Sequence, residues 1–405
     1  MLPDRSIVPV MMFHSIGLRD HPWAWRHLSE PVDAFSDFVD FLAGHGFQTI
    51  GLGALQAHIA GEETAPQNSI VLTFDDGYLD NWVYAAPILR RRGFTGTVFV
   101  STDFIDPGDD LRPTLEEAWN GRCGMTDLKP AGFMNREELR AVDQSGTLQV
   151  HSHAKTHTWY PVGPEIVGWH DPRSPSALPW VAWNAKPERK PFYLVEDQRG
   201  FVPPGTPIFR NDCALTARRF FPDTGAVEVI TKVIQARLAA ASGNARTGEI
   251  AKTAMNALGS DTVPGEYEPH EEKIRRVNDE IADSKIILSG ILGKSVDYIC
   301  WPAGGSDDFC ESAATDAGYA GWMLRSNQER HKRNRPGVDP KGIRRLSAQR
   351  FVHVAGKPRG EGGLMYQRLQ IETHRNSALA AAMLRAYKLL KWVRIVPAAK
   401  MGVAR

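Results

Sequence analysis

The chain has 405 residues, with 48 Lys+Arg against 47 Asp+Glu, 42% hydrophobic and 23% charged. That length makes one large domain or two ordinary ones, and the charge balance excludes a surface tuned throughout for nucleic acid. The composition is not that of a disordered chain, and no run of about 18 apolar residues offers a spanning helix.

In chain order, the apolar run Ile7–Phe13 ends abruptly at His14 and is preceded by Asp4. It reads as a buried first strand and not as a signal peptide, which needs a basic start and a longer apolar stretch. Phe35, Phe38, Val39 and Leu42 recur at helical spacing within Pro31–Gly44. Ser69–Phe74 is an apolar strand that stops at two aspartates. Tyr84–Arg92 reads as a helix closed by Gly93, and Gly96–Val100 as a strand. Asn135–Gln144 predicts a helix, and Thr147–Val150 a strand leading into a histidine cluster. Such alternation with short connections indicates a parallel sheet or barrel.

Between about 160 and 269 the texture changes. Trp169, Trp180, Trp183, Phe192, Tyr193, Phe201, Phe209, Phe220 and Phe221 sit among prolines and basic residues, which suggests an elaborated insertion. Alternation resumes with a helix over His270–Gly293, whose Ile274, Val277, Ile281 and Leu288 share a face. A strand at Val296–Trp301, a short helix at Glu311–Ala317 and strands at Tyr319–Leu324 and Gly342–Leu346 follow. From Thr373 to Arg405 no residue is acidic. Leu379, Met383, Tyr387 and Leu390 share a helical face there, with Arg375, Arg385, Lys388, Lys391, Arg394, Lys400 and Arg405 as the basic residues. Residues 373–405 therefore read as a basic amphipathic helix suited to an anionic membrane surface, or docked on the domain with a solvated basic face.

Cys123, Cys213, Cys300 and Cys310 form no C-x-x-C pair, which suits reduced, mostly buried thiols in a cytoplasmic protein.

The strongest chemical signal is Leu72-Thr73-Phe74-Asp75-Asp76-Gly77. Adjacent carboxylates at the end of a buried strand are costly unless a cation or donor stabilises them, and a divalent metal does so directly. The plainer alternative is an Asp-Gly turn. The second signal is His151-Ser152-His153-Ala154-Lys155-Thr156-His157, where a short helical turn would place His153 and His157 on one face. Each cluster falls at a strand end. Together they make a three-ligand site with one position open for water.

These two motifs, in this order, resemble the polysaccharide deacetylase family (NodB-homology, carbohydrate-esterase type). Val10-Met11-Met12-Phe13-His14-Ser15, Thr95–Val100 and Cys300-Trp301-Pro302-Ala303-Gly304-Gly305 add to the likeness, which covers about Ile7–Thr158 and Glu271–Phe351. The resemblance implies a distorted (β/α)7-type barrel over residues 1–372, interrupted at about 160–269. It implies Asp75 as general base and Asp76, His153 and His157 as ligands of a divalent metal, with zinc the first expectation. Such a metal lowers the pKa of water and polarises the amide carbonyl, while a separate acid protonates the leaving amine.

The sequence departs from the family's third motif, where an arginine often orients the base and Cys300 stands here. Arg344 or Arg345 is expected to supply that charge. For the acid, His14 is preferred over His353, and His151 is expected to be structural. The function expected is removal of an N-acetyl group from a nucleotide- or lipid-linked amino sugar in surface-polysaccharide or lipopolysaccharide synthesis. No nucleic-acid partner is expected, and the C-terminal helix would give peripheral contact with the inner membrane. Trp180, Trp183, Lys186, Arg189, Arg210, Arg218 and Arg219 would cover the site, or form an ordinary small subdomain core with a solvated basic face. A deformylase, a cyclic-amide hydrolase on the same site and a non-catalytic carbohydrate-binding protein are the alternatives.

Overall fold

Every residue from Ser69 to Phe74 is buried, as expected for a strand covered on both faces. A computed structural model describes residues 4–173, 178–240, 247–258, 261–324, 333–348, 351–354 and 357–393. The chain is α/β, built on a curled, parallel half-barrel sheet. From one edge to the other the strands run Gly342–Ile343, Gly321–Met323, Tyr298–Ile299, Leu148–Ser152, Gly96–Val100, Ser69–Phe74, Val10–Phe13 and Leu346–Ser347. Gln48–Thr49 adds a short parallel pairing to Ser69–Ile70.

Helices pack on the outside of this sheet with the predicted apolar faces. Val32–Gly44 buries Phe35, Phe38, Val39 and Leu42. Phe13 meets Phe35, Phe38 and Phe74 at ring-centroid distances of 5.3, 5.6 and 5.5 Å. Burying each such ring is worth about 1.5–3 kcal/mol. His270–Leu292 buries Val277, Ile281, Leu288 and Ile291 but also Glu280 and Ser284, and Gly293 closes it at φ 67°. Ile274 is only half-buried there. Arg136–Gln144 starts with a capping box between Asn135 and Glu138.

Several expected elements take a different form. The predicted Tyr84–Arg92 helix begins earlier, as a wide π turn over Asn81–Ala85, and continues as Ala86–Arg91. The first strand narrows to Val10–Phe13, and the Val296–Trp301 strand to Tyr298–Ile299. The single last strand expected over Gly342–Leu346 is two strands on opposite edges of the sheet. Gly342–Ile343 pairs with Trp322–Met323, whereas Leu346–Ser347 pairs with Met11–Met12. Only Arg344 and Arg345 separate them, so the two edges meet at this pair. Buried Asn334 stitches the seam: its side chain donates to the Val8 and Arg344 carbonyls and accepts from the Arg344 amide.

After the histidine loop the chain leaves the sheet as an antiparallel ribbon, Trp159–Trp169 against Pro207–Cys213. The helix Trp180–Ala185 and 3-10 turns lie between the ribbon strands, followed by helices Thr224–Ala240 and Thr247–Leu258. Trp183 and Leu194 from this block join Leu18, Trp23, Tyr78, Phe104 and Phe133 in one cluster.

The C-terminal region holds two helices, Gly363–His374 and Ala378–Val393. One expectation for it is corrected. Arg375 is not on a solvated basic face; it is buried, donates to the Ser69 carbonyl and lies over Phe47. Tyr387 faces the domain, bonding the Gly362 carbonyl at 2.8 Å and stacking on Tyr366. Arg394, Lys400 and Arg405 lie outside the described residues.

Candidate active site

The Ser69–Phe74 strand extends its ladder one step, with the Asp75 amide donating to the Phe13 carbonyl. The backbone then turns left-handed at Asp76 and again at Gly77, both at φ 75°. Asp tolerates this region better than most residues, and the turn breaks the alternation that would send successive side chains to opposite faces. Both carboxylates are buried, 3% and 7% exposed.

Asp75 is clamped by Arg345. Nη1 donates to Oδ1 at 2.6 Å and Nη2 to Oδ2 at 2.9 Å. The same Nη2 lies 3.0 Å from Cys300 Sγ, which itself lies 3.6 Å from Asp75 Oδ2. His14 Nε2 stands 3.9 Å from that oxygen. Burial opposes the charge on Asp75, but Arg345, His153 and His14 outweigh it and hold the carboxyl below its ordinary value. Burial pushes the Cys300 thiol up and keeps it neutral. His14 is pushed below the usual imidazole value by burial, against the pull of Asp75 and Asp76.

Asp76 faces the histidine loop. Its Oδ1 lies 3.1 Å from His153 Nε2 and 3.2 Å from His157 Nε2, yet this buried oxygen has no hydrogen-bond partner. His153 Nδ1 is 2.9 Å from the Cys300 carbonyl, which can only accept, so that nitrogen carries the ring proton and a neutral ring leaves Nε2 as a lone pair. Burial opposes a proton on His153, but Cys300 and the Asp76 and Asp75 carboxylates hold its pKa well above the usual imidazole value, and a divalent cation could take that proton's place between the carboxylate oxygen and the imidazole lone pairs. One carboxylate and two imidazoles are a donor set suited to zinc and its neighbours. Burial works against the Asp76 charge, but His157 and His153 overcome it and hold the carboxyl well below the usual range. Asp75, His153 and Cys300 also bring ligand atoms together. That second set already has the Arg345 guanidinium on two members, which favours Asp76, His153 and His157.

The expected helical turn between the two histidines is absent. His153–His157 is a loop in which Ala154 and His157 take left-handed φ values of 57° and 41°. The two rings converge through that backbone, with centroids 5.0 Å apart.

Beside Asp76 and His157 lies a cavity of about 10 Å³ walled by Trp25, Tyr78, Phe104, Phe133, Trp183 and Tyr193. That is room for one water or methyl-sized group. Burial, together with the nearby Asp76 carboxylate, raises the Tyr78 phenol well above its ordinary value, so it stays protonated.

Of the expected residues, Asp75, Asp76, His153, His157, His14 and Arg345 come together at this end of the sheet. Arg344 instead bonds Asn334 through its backbone. His151 packs between Phe99 and Tyr298, where burial lowers its pKa to about 4. The His353 side chain lies outside the described residues. Trp183 lines the cavity, but the basic residues expected to cover the site are engaged within their own block. Arg189 pairs with Glu196, Arg210 with Glu165, Lys186 lies over Phe201, and Arg219 over Tyr160. Tyr78 and, apart from Trp183, the aromatic wall were not anticipated as site residues, and Cys300 was expected only as the replacement at the third motif. Their spacing carries no motif, although Tyr78 directly follows the Asp-Asp-Gly turn.

A family model described as polysaccharide deacetylase matches residues 62–177, a stretch that includes both carboxylates and both histidines. The putative polysaccharide deacetylase YxkH of Bacillus subtilis (strain 168) is 28% identical over 93 residues, 23% of this chain and 31% of that protein. The match thus spans less than a third of that relative's length. The BpsB deacetylase domain from Bordetella bronchiseptica superposes with a TM-score of 0.50 at 18% identity, covering 85% of this chain and 97% of that one. A de-N-acetylase from Aggregatibacter actinomycetemcomitans gives 0.49 at 14% identity, covering 86% and 97%. The likeness to BpsB is one of fold.

Proposed function

We propose that the chain is a metal-dependent hydrolase that removes the N-acetyl group from an amino sugar. The observation that carries this reading is the buried Asp76 oxygen, unbonded and facing two imidazole nitrogens, beside a second carboxylate clamped by Arg345. A divalent metal held by Asp76, His153 and His157 would supply Lewis acidity to the amide carbonyl and to water. Asp75 takes a proton from the attacking water, with its carboxylate plane fixed by the two-point contact to Arg345. The proton that Asp75 takes from water is within reach of His14, 3.9 Å away, which gives it to the nitrogen as the carbon–nitrogen bond breaks, since an amide anion is a very poor leaving group. The products are acetate and a free amine. The small aromatic cavity would take the acetyl methyl and exclude larger acyl groups.

The substrate proposed is an N-acetylated sugar still under construction, carried on a nucleotide or lipid in surface-polysaccharide or lipopolysaccharide synthesis. Among the described residues no disulfide joins Cys123, Cys213, Cys300 and Cys310, which supports a cytoplasmic setting. Among the described residues no helix is long and apolar enough to cross a membrane. Peripheral contact is supported by Ala378–Val393, where Leu379 and Leu390 are 70% and 62% exposed and Arg385 and Lys388 stand on the same helix. Flotation with anionic but not zwitterionic vesicles, lost on changing Leu379 and Leu390 to Ser, would support that contact. Residues 160–269 are proposed as an insertion in the barrel.

Metal content and acetate release test the central reading. One tightly bound divalent metal per chain is expected in the wild type. His153→Ala should lose metal and turnover, whereas Asp75→Asn should keep the metal and lose turnover. A wild type that takes up no metal on reconstitution would defeat the proposal.

A further inference from the structure

The His153–His157 loop carries two left-handed residues that are not glycine. Such a backbone costs of order 1–3 kcal/mol per residue and persists only where its surroundings over-determine it. Most of the bonds that hold it come from the half-barrel and its helices. The Ser101 hydroxyl donates to the His153 carbonyl, and the Thr102 and Asp103 amides donate to the Ala154 and Lys155 carbonyls. Glu280, from the long helix His270–Leu292, accepts both the amide and the hydroxyl of Thr156 at 2.7 Å.

The Thr156 carbonyl is held differently. It accepts from Lys190 Nζ at 2.8 Å, and the same ammonium pairs with Asp103 Oδ2 at 2.9 Å. Lys190 belongs to the 3-10 turn Pro187–Phe192, in the aromatic-rich block, and its side chain is only 2% exposed. Burying an ammonium costs several kcal/mol before its partners repay it, so a lysine is a poor choice for mere packing. A second tie from the block lies just past the loop, where Asn184 accepts from the Thr158 hydroxyl and donates to the Trp159 carbonyl.

We propose that Lys190 is a positioning residue through which the 159–269 block sets how tightly His157 and His153 hold their metal. The proposal rests on the function proposed above. The ammonium fixes the Thr156 carbonyl, one residue before His157. In doing so it links the loop to Asp103, whose own amide bonds the preceding carbonyl. Without it, the peptide between Thr156 and His157 loses the side-chain donor that holds its carbonyl, and the imidazole of His157 is freed to leave its meeting point with His153 and Asp76. The block is then part of the metal site's frame and not only a cover over it.

The test is the affinity of the full chain for Zn²⁺ itself, read by competition with a chromophoric chelator. Lys190→Met should weaken binding about 10–100-fold, the range for loss of a group that orients a metal ligand. Lys190→Arg, which keeps charge and donors, should recover most of it. Ile234→Ala, which cuts a buried side chain among Ala251 and Ala254 in the same block, should bind Zn²⁺ as the wild type does. If Lys190→Met fails to fold, Lys190→Met with Asp103→Asn removes the carboxylate that would lose its ammonium partner, and the same loss is expected. Wild-type affinity in that double variant, or an equal loss in Ile234→Ala, overturns the proposal while leaving the hydrolase reading in place. A wild type that binds no Zn²⁺ overturns both.

Discussion

Replacing Arg345 by Met would test whether the guanidinium is there to hold the base. The pair is nearly sealed from water, with side-chain exposures of 9% and 4% for Arg345 and Asp75. Two short bonds and the neighbouring Cys300 sulfur engage the Arg345 Nη1 and Nη2 groups. Removing one member of a buried pair leaves the other charge uncompensated and costs about 3–5 kcal/mol. Arg345→Met should therefore lower the urea midpoint by that equivalent. It should also cut turnover by about 100-fold or more, because a positioned base contributes roughly 10²–10⁴. Adding Asp75→Asn removes the stranded carboxylate. The double variant should then be less destabilised than the sum of the two single changes by about 1–3 kcal/mol. Arg345→Lys, a point charge without the fork, should regain stability before it regains turnover. Strict additivity of the two changes, with turnover in Arg345→Met near that of the wild type, would refute the reasoning.

Asp80 is fully buried, accepts from Ser15 Oγ, and burial raises its carboxyl from 3.8 to about 7. The folded state therefore holds its proton more tightly than the unfolded chain. The stabilisation is complete below pH 3.8 and disappears as pH rises through about 7, on the order of 4 kcal/mol over that window. Asp80→Asn should flatten this slope in urea unfolding followed against pH, and a profile parallel to the wild type's would count against the assignment. Trp183→Leu should enlarge the cavity at His157 and raise turnover of an N-propionyl relative to an N-acetyl sugar, with an unchanged ratio counting against the methyl pocket. Phe38→Ala, at a fully buried ring far from polar groups, should cost about 3–5 kcal/mol of stability while metal affinity stays at the wild-type level.

Much of the half-barrel was legible because its signals are local. Ser69–Phe74 and Gly96–Val100 are apolar runs bounded by turn residues, and the burial of Phe35, Phe38, Val39 and Leu42 follows from helical period alone. The Asp-Asp-Gly turn and the paired histidines were visible for a similar reason, since carboxylates and imidazoles at strand ends are conspicuous against an apolar run. What escaped the sequence was whatever depends on pairing across distance. Nothing local to Gly342–Leu346 says that the segment divides between two sheet edges, yet that division sets Arg345 on Asp75 at the seam. The backbone between His153 and His157 was misjudged because the bonds that hold it come from Ser101, Glu280 and Lys190, each distant in sequence. Arg375 and Tyr387 look like members of a basic amphipathic surface by spacing. Contacts with Ser69, Phe47 and Tyr366 turn them inward. Periodicity and residue type report a segment's own preference, so they determined the elements and the chemical character of the strand ends. Which charge meets which carboxylate, and which lysine braces the loop, is decided only when segments remote in sequence bury each other's polar groups.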